Sequence, residues 1–305
     1  MTYLGSLVAI SIISIANSLA NSTTVNLAKV AEVLPGQVVH AVQPLHPALE
    51  YLLYVPESAP SDSPILVVVH GISRSADEQI SFFIPFAEAH GFTLVAPYFS
   101  EEDYPDYQRL GRRGRGLRAD LALEQLLTTL PRSLENERVF LFGFSGGAQF
   151  VHRFVMAHSE QVIAAVVAAA GWYTFPDSSV AYPYGLRLDG TLPAVQMNPG
   201  GFLEVPTLAV VGSDDTDRDA NLRRSRAIDR RQGRNRVERA QRWIAEMSEA
   251  AERRTLETPF RLAILEDCDH SFENCMNTGM GELIFDFIVR GYQEFSITTE
   301  SKING

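Results

Sequence analysis

Ten residues, Val139-Phe-Leu-Phe-Gly-Phe-Ser-Gly-Gly-Ala148, limit what this chain can fold into more than any other stretch. The apolar run Val139–Phe142 reads as a buried strand. It passes without a linker into Gly143-Phe144-Ser145-Gly146-Gly147, and a helix-compatible segment from Ala148 to His158 follows at once. A strand that becomes a helix within so few residues needs small side chains where the two cross, and Gly143 and Gly147 supply them. The turn holds the Ser145 hydroxyl out from the backbone, where it can act as a nucleophile. The N–H of Gly146, at the first turn of the helix, points where negative charge would develop, with the helix dipole behind it. A glycine-rich turn carrying an idle serine is the alternative.

The rest of the chain repeats the strand-then-helix pattern. Tyr51–Val55, Ile65–Val69, Phe92–Ala96, Val162–Ala170, Leu208–Val211 and Leu262–Leu265 are short apolar runs. Ile65–Val69 is apolar at every position, as a central strand covered on both faces must be. Ser75 and Glu78 stand in capping-box positions before a stripe of Ile80, Phe83, Ile84 and Ala87, with a kink or break expected at Pro85. Leu123, Leu126, Leu127 and Leu130 line a second helix, which Pro131 ends. Strands alternating with helices imply an α/β fold with a doubly wound, mostly parallel sheet. At 305 residues the chain is long enough for one large domain or two small ones; a single domain over 36–298 fits the pattern better. Two stretches exceed a bare repeat. Residues 172–205 read as an irregular lid or substrate wall. Residues 216–254 read as a charged insertion followed by a helix with Val237, Ala240, Trp243, Ile244, Met247 and Ala251 on one face; its arginines, interspersed with Asp and Glu, are expected on a solvated surface.

In such sheets the site forms outside the carboxyl ends of the strands. Residues with chemistry gather there. Leu208–Val211 leads to Gly212-Ser213-Asp214-Asp215, with Asp217 close by, and Leu262–Leu265 leads to Asp269-His270-Ser271-Phe272. A serine hydroxyl needs a base to take its proton, and the base needs a carboxylate to orient it. His270 is the candidate base; His40, His46, His90, His152 and His158 lie away from strand ends. Ile65–Val69 ends in His70-Gly71-Ile72, which places the Ile72 N–H as a second oxyanion donor beside that of Gly146, with His70 holding the loop. Trp172 and Tyr173 follow a strand end and either wall a substrate pocket or pack the lid. Cys268 and Cys275 bracket His270; they are a loop-tethering disulfide or two free thiols, according to compartment. No Cys/His spacing suggests a metal site.

The net charge of −11 argues against nucleic acid and anionic membrane as general partners. No charged residue precedes Lys29. Leu7–Ala16 is an apolar core followed by the small-residue pattern Ser18-Leu19-Ala20, so residues 1–20 read as an export signal peptide, and the mature protein as secreted or periplasmic. The absence of Lys or Arg near Met1 departs from that pattern, and an uncleaved anchor or a cytosolic N-terminal strand are the alternatives.

Together, His70-Gly71, Gly143-Phe144-Ser145-Gly146-Gly147, Gly212-x-x-Asp215 and Asp269-His270-Ser271-Phe272, with the order serine, aspartate, histidine, resemble the α/β-hydrolase superfamily over Tyr51 to Tyr292. Within it the chain is similar to single-domain esterases grouped with polyhydroxybutyrate depolymerases, feruloyl esterases and dienelactone hydrolases. The resemblance selects Asp215 over Asp214 and Asp217. It implies a cofactor-independent serine esterase with catalytic Ser145, Asp215 and His270, acting through an acyl-enzyme on a small-molecule or polymeric ester. It implies neither a nucleic-acid partner nor membrane insertion once the leader is removed. A peptidase or amidase of the same fold, and a non-catalytic binding module, are the alternative readings.

Overall fold

The computed structural model describes residues 35–60, 63–130, 138–257 and 260–291. The candidate signal peptide, and the end of the expected domain beyond residue 291, lie outside them. Eight strands form one sheet: β1 (Val38–Gln43), β2 (Leu49–Tyr54), β3 (Ile65–Val69), β4 (Thr93–Tyr98), β5 (Val139–Phe144), β6 (Val162–Ala168), β7 (Thr207–Gly212) and β8 (Phe260–Leu265). Their spatial order is β1-β2-β4-β3-β5-β6-β7-β8. The β1–β2 and β2–β4 pairs are antiparallel and all the others parallel. The all-apolar strands are central for the expected reason. In β3, Ile65, Val67 and Val69 enter one core while Leu66 and Val68 enter the other. β5 divides likewise, Val139 and Leu141 to one face, Phe140 and Phe142 to the other.

Among the described residues, besides one four-residue helix at Pro199–Phe202, helices cover the two faces: α1 (Ala76–His90), α2 (Ala119–Thr129), α3 (Gly146–Ala157), α4 (Arg226–Gln232), α5 (Arg236–Glu252) and α6, which starts at Phe272–Cys275, passes through a π turn at Met276–Met280 and continues over 281–291. Leu123 and Leu126 of α2, Phe150 and Phe154 of α3 and Trp243 and Met247 of α5 pack on one face. Ile80 and Phe83 of α1 and Phe272, Ile284, Phe285 and Ile288 of α6 pack on the other. Among the described residues no helix is long and apolar enough to cross a membrane.

Two local expectations, at Pro85 and at Ser75, are corrected. α1 runs through Pro85 without a break, losing one backbone donor. Ser75 stands at its N-cap position, but its hydroxyl donates to Ser73 Oγ at 3.2 Å and the capping box does not form. β4 continues through Pro97, which pairs with Tyr51 of β2. The β3 ladder has already stopped at Val95, so one side of the strand is unpaired there and a missing N–H is tolerated.

The segment 172–205 is for the most part a packed layer: Phe175, Tyr182, Leu186, Leu192, Val195 and Phe202 join the α3/α5 core. The charged stretch contributes α4 and α5, and the expected apolar face of α5 is buried except for Val237, which is half-buried. Arg236 and Arg239 are not solvated, however; they are 1% and 0% exposed. Both lie in the first turn of α5 and turn inward, Arg236 to carboxylates and Arg239 to the carbonyls of Gly233 and Gly171.

Candidate active site

β5 delivers Ser145 just past its carboxyl end with φ 53° and ψ −107°, outside the regions that side-chain-bearing residues favour. Such a conformation costs on the order of 1–3 kcal/mol and persists only where the surroundings impose it. Here they do. Ser145 N–H donates to Ala168 O at 2.8 Å, and Gln149 N–H donates back to Ser145 O at 3.2 Å. The neighbouring glycines permit the crossing: a Cβ on Gly143 would lie 2.4 Å from the Gly147 carbonyl, and one on Gly147 would lie 2.0 Å from Val69 O.

Ser145 Oγ lies 3.0 Å from His270 Nε2, and His270 Nδ1 lies 2.8 Å from Asp215 Oδ2. Three loops separated by up to 125 positions in sequence thus meet in one hydrogen-bonded line. The two downstream loops are fastened to each other. Ser213 N–H donates to Leu265 O at 2.7 Å and Asp214 N–H to Cys268 O at 3.0 Å. Gly212 lies so close to Cys268 that a Cβ would fall 1.9 Å from its carbonyl oxygen. Cys268 and Cys275 form a disulfide with Cα atoms 5.2 Å apart, tying the start of α6 to the loop that carries His270. The ring of Phe144 stacks on His270 at 5.4 Å between centroids.

Asp215 has no free side: its other oxygen accepts from Arg236 Nη1 at 3.0 Å, and the same nitrogen donates to Asp219 Oδ2 at 2.8 Å. Asp215 and Arg236 are each 1% exposed, while half of this arrangement's negative charge, Asp219, reaches the surface. Asp214 is exposed and, among the described residues, receives only the Ser213 hydroxyl; Asp217 is exposed as well.

The loop after β3 is held from beneath. His70 is fully buried, its Nδ1–H donates to Gly71 O at 2.8 Å, and its Nε2 accepts from Phe99 N–H at 3.0 Å. Burial pushes its pKa down from 6.5 to about 4, so the ring is neutral near pH 7. The Tyr107 hydroxyl donates to His70 O at 3.0 Å. This loop brings Ile72 against the elbow, where a Cβ on Gly146 would lie 2.8 Å from Ile72 Cγ2. The two residues expected to supply N–H donors therefore flank Ser145. The Ile72 side chain is 42% exposed at the mouth.

Trp172 lines a cleft beside Ser145. Tyr173 does not reach it: the side chain is 0% exposed and stacks on Trp243 at 4.7 Å, so it packs the core. The sequence reading missed Arg236, Asp219 and Tyr107, which hold the site from behind; no motif marks them, because each acts through partners distant in sequence.

No protein-family model matches the chain, and no curated protein matches it either. Solved structures do. The poly(aspartic acid) hydrolase-1 of Sphingomonas sp. KT-1 is 26% identical, covering 83% of this chain and 98% of that one, with a TM-score of 0.69. A poly(3-hydroxybutyrate) depolymerase from Bordetella parapertussis is 26% identical over 86% of this chain and 94% of that one, with a TM-score of 0.71. An S-formylglutathione hydrolase from Agrobacterium tumefaciens shares the fold at 15% identity and a TM-score of 0.52, over 81% of this chain and 92% of that one. With its sheet order, its elbow after β5 and these neighbours, the chain belongs to the α/β-hydrolase superfamily.

Proposed function

We propose that this chain is a serine esterase that hydrolyses carboxylic esters through an acyl-enzyme. The observation that carries the reading is the line Ser145 Oγ–His270 Nε2–Asp215 Oδ2, with steps of 3.0 and 2.8 Å. Ser145 Oγ attacks the ester carbonyl carbon and its proton passes to His270 Nε2. Asp215 accepts from Nδ1–H, which fixes the tautomer and compensates the imidazolium. The N–H groups of Ile72 and Gly146 receive the oxyanion. The carbon–oxygen bond to the alcohol then breaks and His270 returns its proton to the departing oxygen. Water, deprotonated by the same imidazole, frees the acid and restores Ser145. Every proton in the cycle is carried by these side chains, so the reaction calls for no cofactor.

The same reading takes residues 1–20 as an export leader, which suits a Cys268–Cys275 disulfide beside the catalytic histidine. Residues 172–205 become the wall of the substrate site through Trp172, and the loop before α4 becomes its rim. The depolymerase neighbour supports an ester substrate, small or polymeric. A second reading has its own support: poly(aspartic acid), in the name of an equally identical neighbour, is joined by amide bonds. Matched p-nitrophenyl ester and p-nitroanilide substrates separate the two. Ser145→Ala, folded by circular dichroism, is expected to lose ester hydrolysis and labelling by a fluorophosphonate; retention of either refutes the assignment.

A further inference from the structure

Two clefts open on Ser145, one on each side, and they differ in charge. Ile72 and Asn221 line both and stand between them. The first, about 290 Å³, contains His270 with Glu78 and Glu273, and no Lys or Arg lines it. The second, about 250 Å³, is lined by Arg109, Arg223 and Arg236 with Gln149 and Trp172, and no Asp or Glu lines it.

The cations of the second cleft are not all neutralised. Arg236 is held by Asp215 and Asp219, and Arg109 by Asp106. Arg223 has no carboxylate within ion-pair distance among the described residues. Its Nε donates to the Tyr184 hydroxyl at 3.0 Å, and its guanidinium lies 5.5 Å from the centre of the Trp172 ring. Below the cleft a second guanidinium, Arg153, lies 4.3 Å from the same ring. Arg153 is 0% exposed and donates only to neutral acceptors, Thr174 Oγ1 and the carbonyls of Gln108 and Gln149. Its Nη2 has no partner, nor has Oε1 of the buried Gln149. Burial lowers Arg153 to about 10, which leaves it charged at neutral pH. Among the described residues no carboxylate pairs with it directly; a buried cation so placed is costly to keep, and a bound anion beside it offsets that cost.

We propose that the arginine cleft is the acyl subsite and takes an acyl chain ending in a carboxylate, while the acidic cleft takes a neutral or cationic alcohol. The proposal rests on the serine-esterase reading. Chemistry sets the sides: His270 hands its proton to the departing oxygen, so the alcohol leaves through the cleft that contains His270. The acyl chain, bonded to Ser145, occupies the other cleft. There Arg223 is placed to take the carboxylate with its planar fork, and Trp172 to lie along the apolar part of the chain. Glu78 and Glu273 repel an anionic alcohol, so a polymer anionic on both sides of the scissile bond is a poor fit.

The test uses the full enzyme with two ester pairs, uncatalysed hydrolysis subtracted. For p-nitrophenyl hemiadipate against p-nitrophenyl hexanoate, kcat/KM is expected to favour the hemiadipate at least tenfold, with the preference shrinking as salt rises. Arg223→Gln reduces the preference about tenfold and Arg223→Lys restores part of it. Arg253→Gln, an exposed change at the far end of α5, leaves both rates as they were. For the hexanoate ester of 4-hydroxybenzoate against that of its methyl ester, the anionic alcohol is the slower. Equal rates within either pair, or an acyl preference unchanged by Arg223→Gln, overturn the subsite assignment while the esterase reading stands. If no ester is cleaved and a fluorophosphonate leaves Ser145 unlabelled, both readings fall together.

Discussion

Removing the Arg236 guanidinium tests how Asp215 is kept in place. In Arg236→Met a side chain of similar length stays in the core, but Asp215, itself 1% exposed, keeps only His270 Nδ1–H as a side-chain donor among the described residues. Breaking a buried ion pair from one side costs about 3–5 kcal/mol, because the remaining charge is left uncompensated. Asp219 softens this little; its side chain is 34% exposed and hydrates once released. Asp215→Asn is expected to cost less, about 1–3 kcal/mol, because Arg236 keeps Asp219 and the neutral amide still fills the space. The double variant leaves neither buried charge, so its loss falls short of the sum of the singles by about 2 kcal/mol. Arg236→Lys is informative too. A single nitrogen, Nη1, serves both carboxylates, so one ammonium can replace part of what is lost. The measurement is urea unfolding at pH 7, with kcat on a neutral ester beside it. In Arg236→Met kcat should fall about 10–100-fold as Asp215 drifts from His270 Nδ1, following the sensitivity of positioned groups to displacements of about 1 Å. A loss under about 1 kcal/mol in Arg236→Met, or full additivity in the double variant, would refute the view that Arg236 holds the acid in place.

Gly147→Ala should not yield a folded, active enzyme, since its Cβ would meet Val69 O at 2.0 Å; soluble expression with wild-type activity would overturn the close-crossing account. Reduction of Cys268–Cys275, seven positions apart, opens a short loop whose closure contributes about 2.4 kcal/mol. Thermal unfolding with and without reductant should show a drop of roughly 5 °C. His70 stays unprotonated in the folded state down to about pH 4, whereas the unfolded chain takes a proton from pH 6.5 downward. The unfolded state therefore holds more protons in that window, so stability falls on acidification. Between pH 7 and pH 5 the loss from His70 is about 2 kcal/mol. His152, lowered by its own burial, acts with the same sign, so denaturant midpoints that stay flat from pH 7 to pH 5 would contradict both buried, neutral rings.

The sheet was legible because each central strand is apolar at successive positions, a pattern that only burial on both faces explains. The meeting of Ser145 and His270 was legible because both sit in short segments whose neighbours dictate the local backbone: glycines at the elbow, a strand end before Asp269-His270. Asp215 needed a family resemblance to separate it from Asp214, since adjacent aspartates at one strand end differ in burial and not in pattern. Tyr173 shows the limit of reading by position. It adjoins Trp172, yet the chain turns between them, so one ring enters the cleft and the other stacks on Trp243.

The arginines are the larger lesson. Arg218 to Arg242 carries ten of them in a chain with a net charge of −11, and spacing alone reads them as a solvated face. Their fates are set by tertiary partners that lie in other segments. Arg236 reaches back 21 positions to Asp215, and Arg239 reaches 68 positions to Gly171 O. Arg223 meets Tyr184 39 positions away, at the mouth of the cleft. Three arginines from one charged run therefore do three different things: one holds an acid, one fastens a loop, one faces the cleft beside Ser145. Their helical and loop positions were readable, but the work each does depends on which carboxylates and carbonyls the finished sheet places opposite it.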